Sequence, residues 1–110
     1  MFLANYGQDL WHRWWEREFG LPWENRALWE ERSMYNQVQN IVTPTLFMGG
    51  EKDWNVPISN SELMYISMKR LGRETLLVVY PDQGHGIDLP SFRIDVWNRQ
   101  LAWFDRYLSK

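Results

Sequence analysis

Two short apolar runs with a helix-patterned stretch between them restrict this chain more than any other feature. The first, Ile41-Val42-Thr43-Pro44-Thr45-Leu46-Phe47-Met48-Gly49-Gly50, is continuous and stopped by two glycines. It reads as a strand buried on both faces, with Pro44 held to its start because proline has no N–H to give a ladder. The second, Thr75 to Tyr80, is β-branched and aromatic and stops at Pro81, so it also reads as a strand. Between them, Leu63, Met64, Ile66, Met68 and Leu71 recur at helical spacing. Ser59 or Asn60 is the expected cap, Glu62 lies early, Lys69 and Arg70 lie late, and Gly72 is the stop. Strand, helix, strand in this order closes into one right-handed parallel unit, which makes the chain an α/β protein.

The flanks read as helical. Leu10, Trp11, Trp14, Trp15 and Phe19 place an amphipathic helix over residues 8–19, punctuated by Gly20 and Pro22. A second short helix is expected over residues 24–32, followed by a polar connection over 33–40. Pro90 opens a long helix to about Tyr107, with Phe92, Val96, Leu101, Trp103, Phe104, Tyr107 and Leu108 on or near one broad stripe. The expectation is a single domain over residues 1–110, with an aromatic helical segment at 1–40 and the strand-helix-strand-helix unit at 41–110. Eight tryptophans, five of them in the first thirty residues, suggest either a small aromatic core or a surface that packs against more protein.

Composition removes several classes of function. A net charge of -2 and a pI near 5.6 supply no basic footprint for nucleic acid or an anionic membrane. Without cysteine there is neither a disulfide framework nor a thiolate metal site. No apolar run approaches a membrane span, and Met1-Phe2-Leu3-Ala4-Asn5 lacks the basic start of a secretory signal, so a cytoplasmic location is expected.

Parallel sheets put working residues in the loops beyond the carboxyl ends of their strands. Both such loops are loaded here. The first runs Gly49-Gly50-Glu51-Lys52-Asp53-Trp54-Asn55-Val56-Pro57, and the second runs Asp82-Gln83-Gly84-His85-Gly86-Ile87. An aspartate that accepts a histidine's ring N–H fixes its tautomer and stabilises the imidazolium formed when the other nitrogen takes a proton. Strands about 4.8 Å apart bring two such loops within reach of each other.

These residues carry a resemblance. Thr43-Pro44-Thr45-Leu46, Gly50-Glu51-Lys52-Asp53, Val56-Pro57, Met64-Tyr65, Lys69-Arg70-Leu71-Gly72, Val79-Tyr80-Pro81, Gly84-His85-Gly86 and Trp103-Phe104-Asp105-Arg106-Tyr107-Leu108 stand in order along the chain. Together they resemble the C-terminal segment of a prolyl oligopeptidase family catalytic domain, nearest its dipeptidyl and acylaminoacyl peptidase branch. Pro22-Trp23-Glu24-Asn25 and Arg32-Ser33 also fit. The resemblance implies a truncated α/β-hydrolase fold, with Asp53 as triad acid, His85 as triad base, Glu51 and Asn55 beside them, and no cofactor. The family's serine sits upstream in a Gly-x-Ser-x-Gly elbow, and this sequence contains none.

The leading expectation is therefore a serine peptidase or esterase-type catalytic piece that supplies acid and base but no nucleophile. A two-stranded sheet is marginal and leaves an apolar edge near residues 45–48, from which a homodimer through that edge and the tryptophan-rich helices is expected. One alternative is a stand-alone dimeric hydrolase of esters or phosphoesters built on Asp53 and His85. In it His12, Glu51, Asp53 and His85 would hold zinc or manganese across the dimer. A non-catalytic binding module is a second alternative, drawn from the tryptophans.

Overall fold

The computed structural model describes residues 6–7 and 12–108. β1 (Thr45–Gly50) and β2 (Thr75–Tyr80) form a two-stranded parallel sheet in unbroken register, from Thr45 opposite Thr75 to Gly50 opposite Tyr80. Thr75 strengthens the start of the ladder, its hydroxyl donating to the Thr45 carbonyl at 2.9 Å. α3 (Ile58–Arg70) makes the crossover between the strands. It begins at Ile58 behind Pro57 with no side-chain cap, not at the Ser59 or Asn60 cap that the sequence suggests. Pro57 fixes the entry, and Asn60 is buried within the first turn, its N–H on the Pro57 carbonyl. The other end follows expectation. Gly72 adopts φ +69°, its N–H donates to the Lys69 carbonyl, and the Arg73 N–H reaches back to the Met68 carbonyl. This paired closure satisfies carbonyls the helix leaves free and needs a residue that tolerates a left-handed backbone.

The two faces of the sheet go to different helices. Gly49 points at Ile58 of α3, whereas Tyr80, one position out of phase across the pair, meets Phe92 and Asp95 of α4 (Pro90–Leu108). α3 buries Met64 and Met68. α4 lies more loosely and buries none of its residues completely. Its main tie is polar: the buried Tyr80 hydroxyl donates to Asp95 at 2.9 Å, and Arg99 holds the same carboxylate at 2.6 Å.

N-terminal to the sheet, α1 (His12–Phe19) and α2 (Arg26–Glu31) fold around Trp29, which is 1% exposed. Its indole N–H donates to the Gly20 carbonyl, and the rings of Tyr6, Trp15 and Phe19 surround it. The aromatic mini-core is thus present, although Trp14 and Trp23 remain exposed. Residues 8–11 of the expected first helix lie outside the described residues. The segment read as a polar connection is a 3-10 helix, Met34–Asn40, in which Asn36 caps back to the Glu30 carbonyl and Asn40 pairs with Gln37. Short polar side chains close such turns locally, which apolar periodicity does not register. The helix abuts α3, where Ser67 and Tyr35 face each other.

The expectation that β1 is buried on both faces fails. Its residues are half-buried until Gly50, and in β2 Leu76 and Val79 are exposed. An apolar run reads as fully buried only when strands flank it, and here each strand has one neighbour. The α4 stripe is covered only in part: Phe92, Val96, Trp103 and Tyr107 are half-buried, whereas Leu101, Phe104 and Leu108 are more than half exposed, as are Ile94 and Trp97 outside the stripe. Consistently, the radius of gyration is 15.8 Å, against about 13 Å for a compact domain of this length. No helix among the described residues is long and apolar enough to cross a membrane.

Two outcomes follow from this packing. Burial, reinforced by the bond to Asp95, pushes the Tyr80 hydroxyl up to about 12 from its ordinary value of 10. Neutral Tyr80 is therefore favoured by folding. Its contribution is complete below pH 10 and is lost as pH rises from 10 towards 12. Tyrosinate absorbance should show a last phase near pH 12 that Tyr80→Phe removes, at a cost of about 1 kcal/mol in stability. A β-carbon at Gly50 would collide with the carbonyl oxygens of Gln83 and Gly84, which are backbone and cannot rotate away. Gly50→Ala should cost roughly 1–3 kcal/mol by denaturant unfolding, more than Gly49→Ala, whose obstacle is the flexible tip of Ile58.

Candidate active site

The ladder does not stop where the strands do. Beyond Gly50, the Glu51 N–H donates to the Tyr80 carbonyl at 2.9 Å and the Lys52 N–H to the Gln83 carbonyl at 2.8 Å. The loop after β1 and the loop after β2 therefore leave the sheet bonded to each other. Side chains add to the seam. The Glu51 carboxylate accepts the Asp82 N–H at 3.0 Å, and Lys52 pairs with Asp82 at 2.5 Å. Asp82 itself sits at φ +59°, a backbone region that aspartate tolerates better than most residues. Hydrogen bonding by Lys52, with its charge, holds the Asp82 carboxyl below the usual range and raises the Lys52 ammonium in turn.

On this platform Asp53 and His85 meet. The Asp53 side chain is 9% exposed and both of its oxygens are engaged. Oδ1 accepts the backbone N–H groups of Asn55 at 2.9 Å and Val56 at 2.7 Å. Oδ2 stands 3.0 Å from His85 Nδ1. The two backbone donors lock the carboxylate, so its second oxygen has one direction in which to point. The His85 side chain is 60% exposed. Beside the pair lies a cavity of about 320 Å³ lined by Gly49, Asp53, Ser61, Tyr80, His85 and Ile87 among others.

Of the residues singled out from sequence, Asp53 and His85 come together. Asn55 contributes through its backbone, and Glu51 serves the seam between the loops. His12 lies on α1, in the aromatic segment. Among the described residues no three His, Asp or Glu side chains are grouped to hold a metal ion, so a set of His12, Glu51, Asp53 and His85 is not gathered within one chain. Sequence reasoning assigned nothing to Gln83. Yet its carboxamide oxygen accepts the N–H groups of Asp88 at 2.9 Å and Leu89 at 3.1 Å, while its carbonyl takes the Lys52 N–H. No spacing rule points to a glutamine acting through both main chain and side chain.

A carboxylate locked on one imidazole nitrogen, at the carboxyl ends of adjacent parallel strands, can orient a general base and stabilise its protonated form. Comparisons with known proteins identify what the chain is similar to. The chain is 34% identical over 97 residues, 86% of its length, to the uncharacterized peptidase YuxL of Bacillus subtilis (strain 168). It is 32% identical over 80 residues, 73% of its length, to acylamino-acid-releasing enzyme 1 of Oryza sativa subsp. japonica. It spans 15% and 10% of those two proteins. The fold matches the Pyrococcus horikoshii acylaminoacyl peptidase with a TM-score of 0.86 at 24% identity, covering 99% of this chain and 19% of that one. A Mycobacterium tuberculosis puromycin-hydrolyzing peptidase matches with a TM-score of 0.80 at 21% identity, covering 94% of this chain and 16% of that one. The prolyl oligopeptidase family itself matches over residues 2–110. An α/β-hydrolase architecture and a family match over almost every residue have one common account: this chain belongs to the prolyl oligopeptidase family and corresponds to a C-terminal part of its serine peptidase catalytic domain.

Proposed function

We propose that the chain supplies the acid and base of a serine hydrolase site whose nucleophile stands on another segment. One observation carries this reading. Asp53 is nearly buried and saturated by Asn55 and Val56 on one oxygen and by His85 on the other, while the imidazole remains open. In this role Asp53 keeps the proton on Nδ1, so Nε2 is free to take a serine hydroxyl's proton and later return it to the leaving group. The substrate would be an acyl compound, a peptide or an ester. The names of the acylamino-acid-releasing and dipeptidyl-peptidase relatives support this class.

The nucleophile-bearing segment would dock at the open edge of β1, beside the cavity that His85 lines, and cover the exposed stripe of α4. A second copy pairing at that edge is the competing occupant, and a native mass of two chains would favour it. The metal-assisted dimer needs ligands from two chains, since those described in one do not converge.

A fluorophosphonate probe tests the proposal. The 110-residue chain alone should not label. A chimera in which this chain replaces the matched 97-residue segment of the Bacillus subtilis relative should label and hydrolyse an acyl-peptide anilide. His85→Ala should abolish both, and Asp53→Asn should lower kcat by on the order of 10⁴. Labelling of the isolated chain, for instance at Ser61 in the same cavity, would overturn the proposal, because the nucleophile would then be its own.

A further inference from the structure

His85 sits in a loop that its near neighbours close into a ring. Gln83 anchors that ring at both ends: its carbonyl is bonded to the acid loop through Lys52, and its side chain accepts Asp88 and Leu89 just before α4. The two N–H groups belong to the approach to a 19-residue helix that opens with Pro90, where donors lack helical partners. A single carboxamide oxygen thus does the work of an N-terminal cap from six residues upstream. Because both contacts are donors, the amide is oriented with its oxygen towards the helix.

Nothing else among the described residues ties this loop internally except Arg93, whose guanidinium reaches the Ile87 carbonyl at 2.8 Å and Asp88 at 3.6 Å. Gly84 and Gly86 flank His85 and add no side-chain restraint. The imidazole makes one hydrogen bond, to Asp53, and is otherwise exposed. Its position therefore depends on the path of a glycine-flanked backbone, and that path is set by what closes residues 83–89.

We propose that Gln83 is a positioning residue for the His85 base: by bonding Asp88 and Leu89 with its side chain and Lys52 with its carbonyl, it holds the loop so that Nδ1 faces Asp53. The proposal rests on the reading of Asp53 and His85 as an acid and base pair. It goes beyond that reading by assigning the geometry of the pair to a residue that touches neither substrate nor the reacting nitrogen. A residue that only capped α4 would alter stability without changing which imidazole nitrogen carries the proton, and this separates the two roles.

The test is the tautomer of neutral His85 in the full chain, read from nitrogen chemical shifts with ¹⁵N-labelled histidine. Wild type should hold the proton on Nδ1. Gln83→Leu should lower the ratio of Nδ1–H to Nε2–H about tenfold, the worth of one lost hydrogen bond. Gln83→Glu retains an acceptor at the same reach, with a charge the start of a helix favours, and should restore the wild-type ratio. An unchanged tautomer in Gln83→Leu, or a Glu variant that behaves like Leu, would overturn the proposal. If Gln83→Leu loses its circular dichroism, amide exchange in the wild type decides. Asp88 and Leu89 amides protected relative to Gly86 support the closure, and equal exchange overturns it. Wild type without an Nδ1–H preference, unchanged by Asp53→Ala, would instead overturn the pair reading and this proposal with it.

Discussion

The parallel pairing of β1 with β2 is the constraint on which the rest of this structure depends. Gly50 opposite Tyr80 ends both strands at one level, and two further backbone bonds from Glu51 and Lys52 carry the ladder into the loops. A slip by one residue would turn every side chain to the opposite face and separate Asp53 from His85. Gly50 makes the close approach attainable, since Gln83 and Gly84 occupy the space a side chain would need. The same register sends Tyr80 to α4, so one ladder positions Asp53, His85 and the final helix.

Around that ladder the energetics are uneven. Among the described residues the buried apolar side chains are Pro22, Trp29, Met64, Met68 and Tyr80, a small core for a chain of this length. The loop seam is by contrast dense in hydrogen bonds and has a charged pair in Lys52 and Asp82. An exposed pair of that kind contributes little to stability, so its importance is geometric: it restrains the two loops relative to each other. Local polar restraint of the pair coexists with an incomplete apolar shell, and this combination is what a catalytic segment separated from the remainder of its domain would display.

Much of this was readable from the sequence. The strand-helix-strand order, the Gly72 stop and the loops that carry Asp53 and His85 follow from apolar periodicity and glycine placement, which act through near neighbours. What did not follow was set by distant ones. Ser59 and Asn60 carry the side chains of helix caps, but α3 begins at Ile58, directly behind Pro57. The run ending at Met48 reads as enclosed, although only one strand lies beside it. The stripe of α4 reads as a buried face, although Leu101, Phe104 and Leu108 are exposed. Periodicity records that a face is apolar and is silent about whether anything covers it.

The sequence by itself determined the α/β alternation, the family and the two loops that carry Asp53 and His85, because these rest on local pattern and on motifs held in fixed order. Only the tertiary structure decided how the pair is held: both Asp53 oxygens engaged, Glu51 on the Asp82 N–H, and Gln83 bonded to two loops at once. Those bonds join residues whose separation in the chain carries no signal. They exist because a parallel register folds two loop backbones against each other, and register is a property of paired strands that neither strand encodes alone.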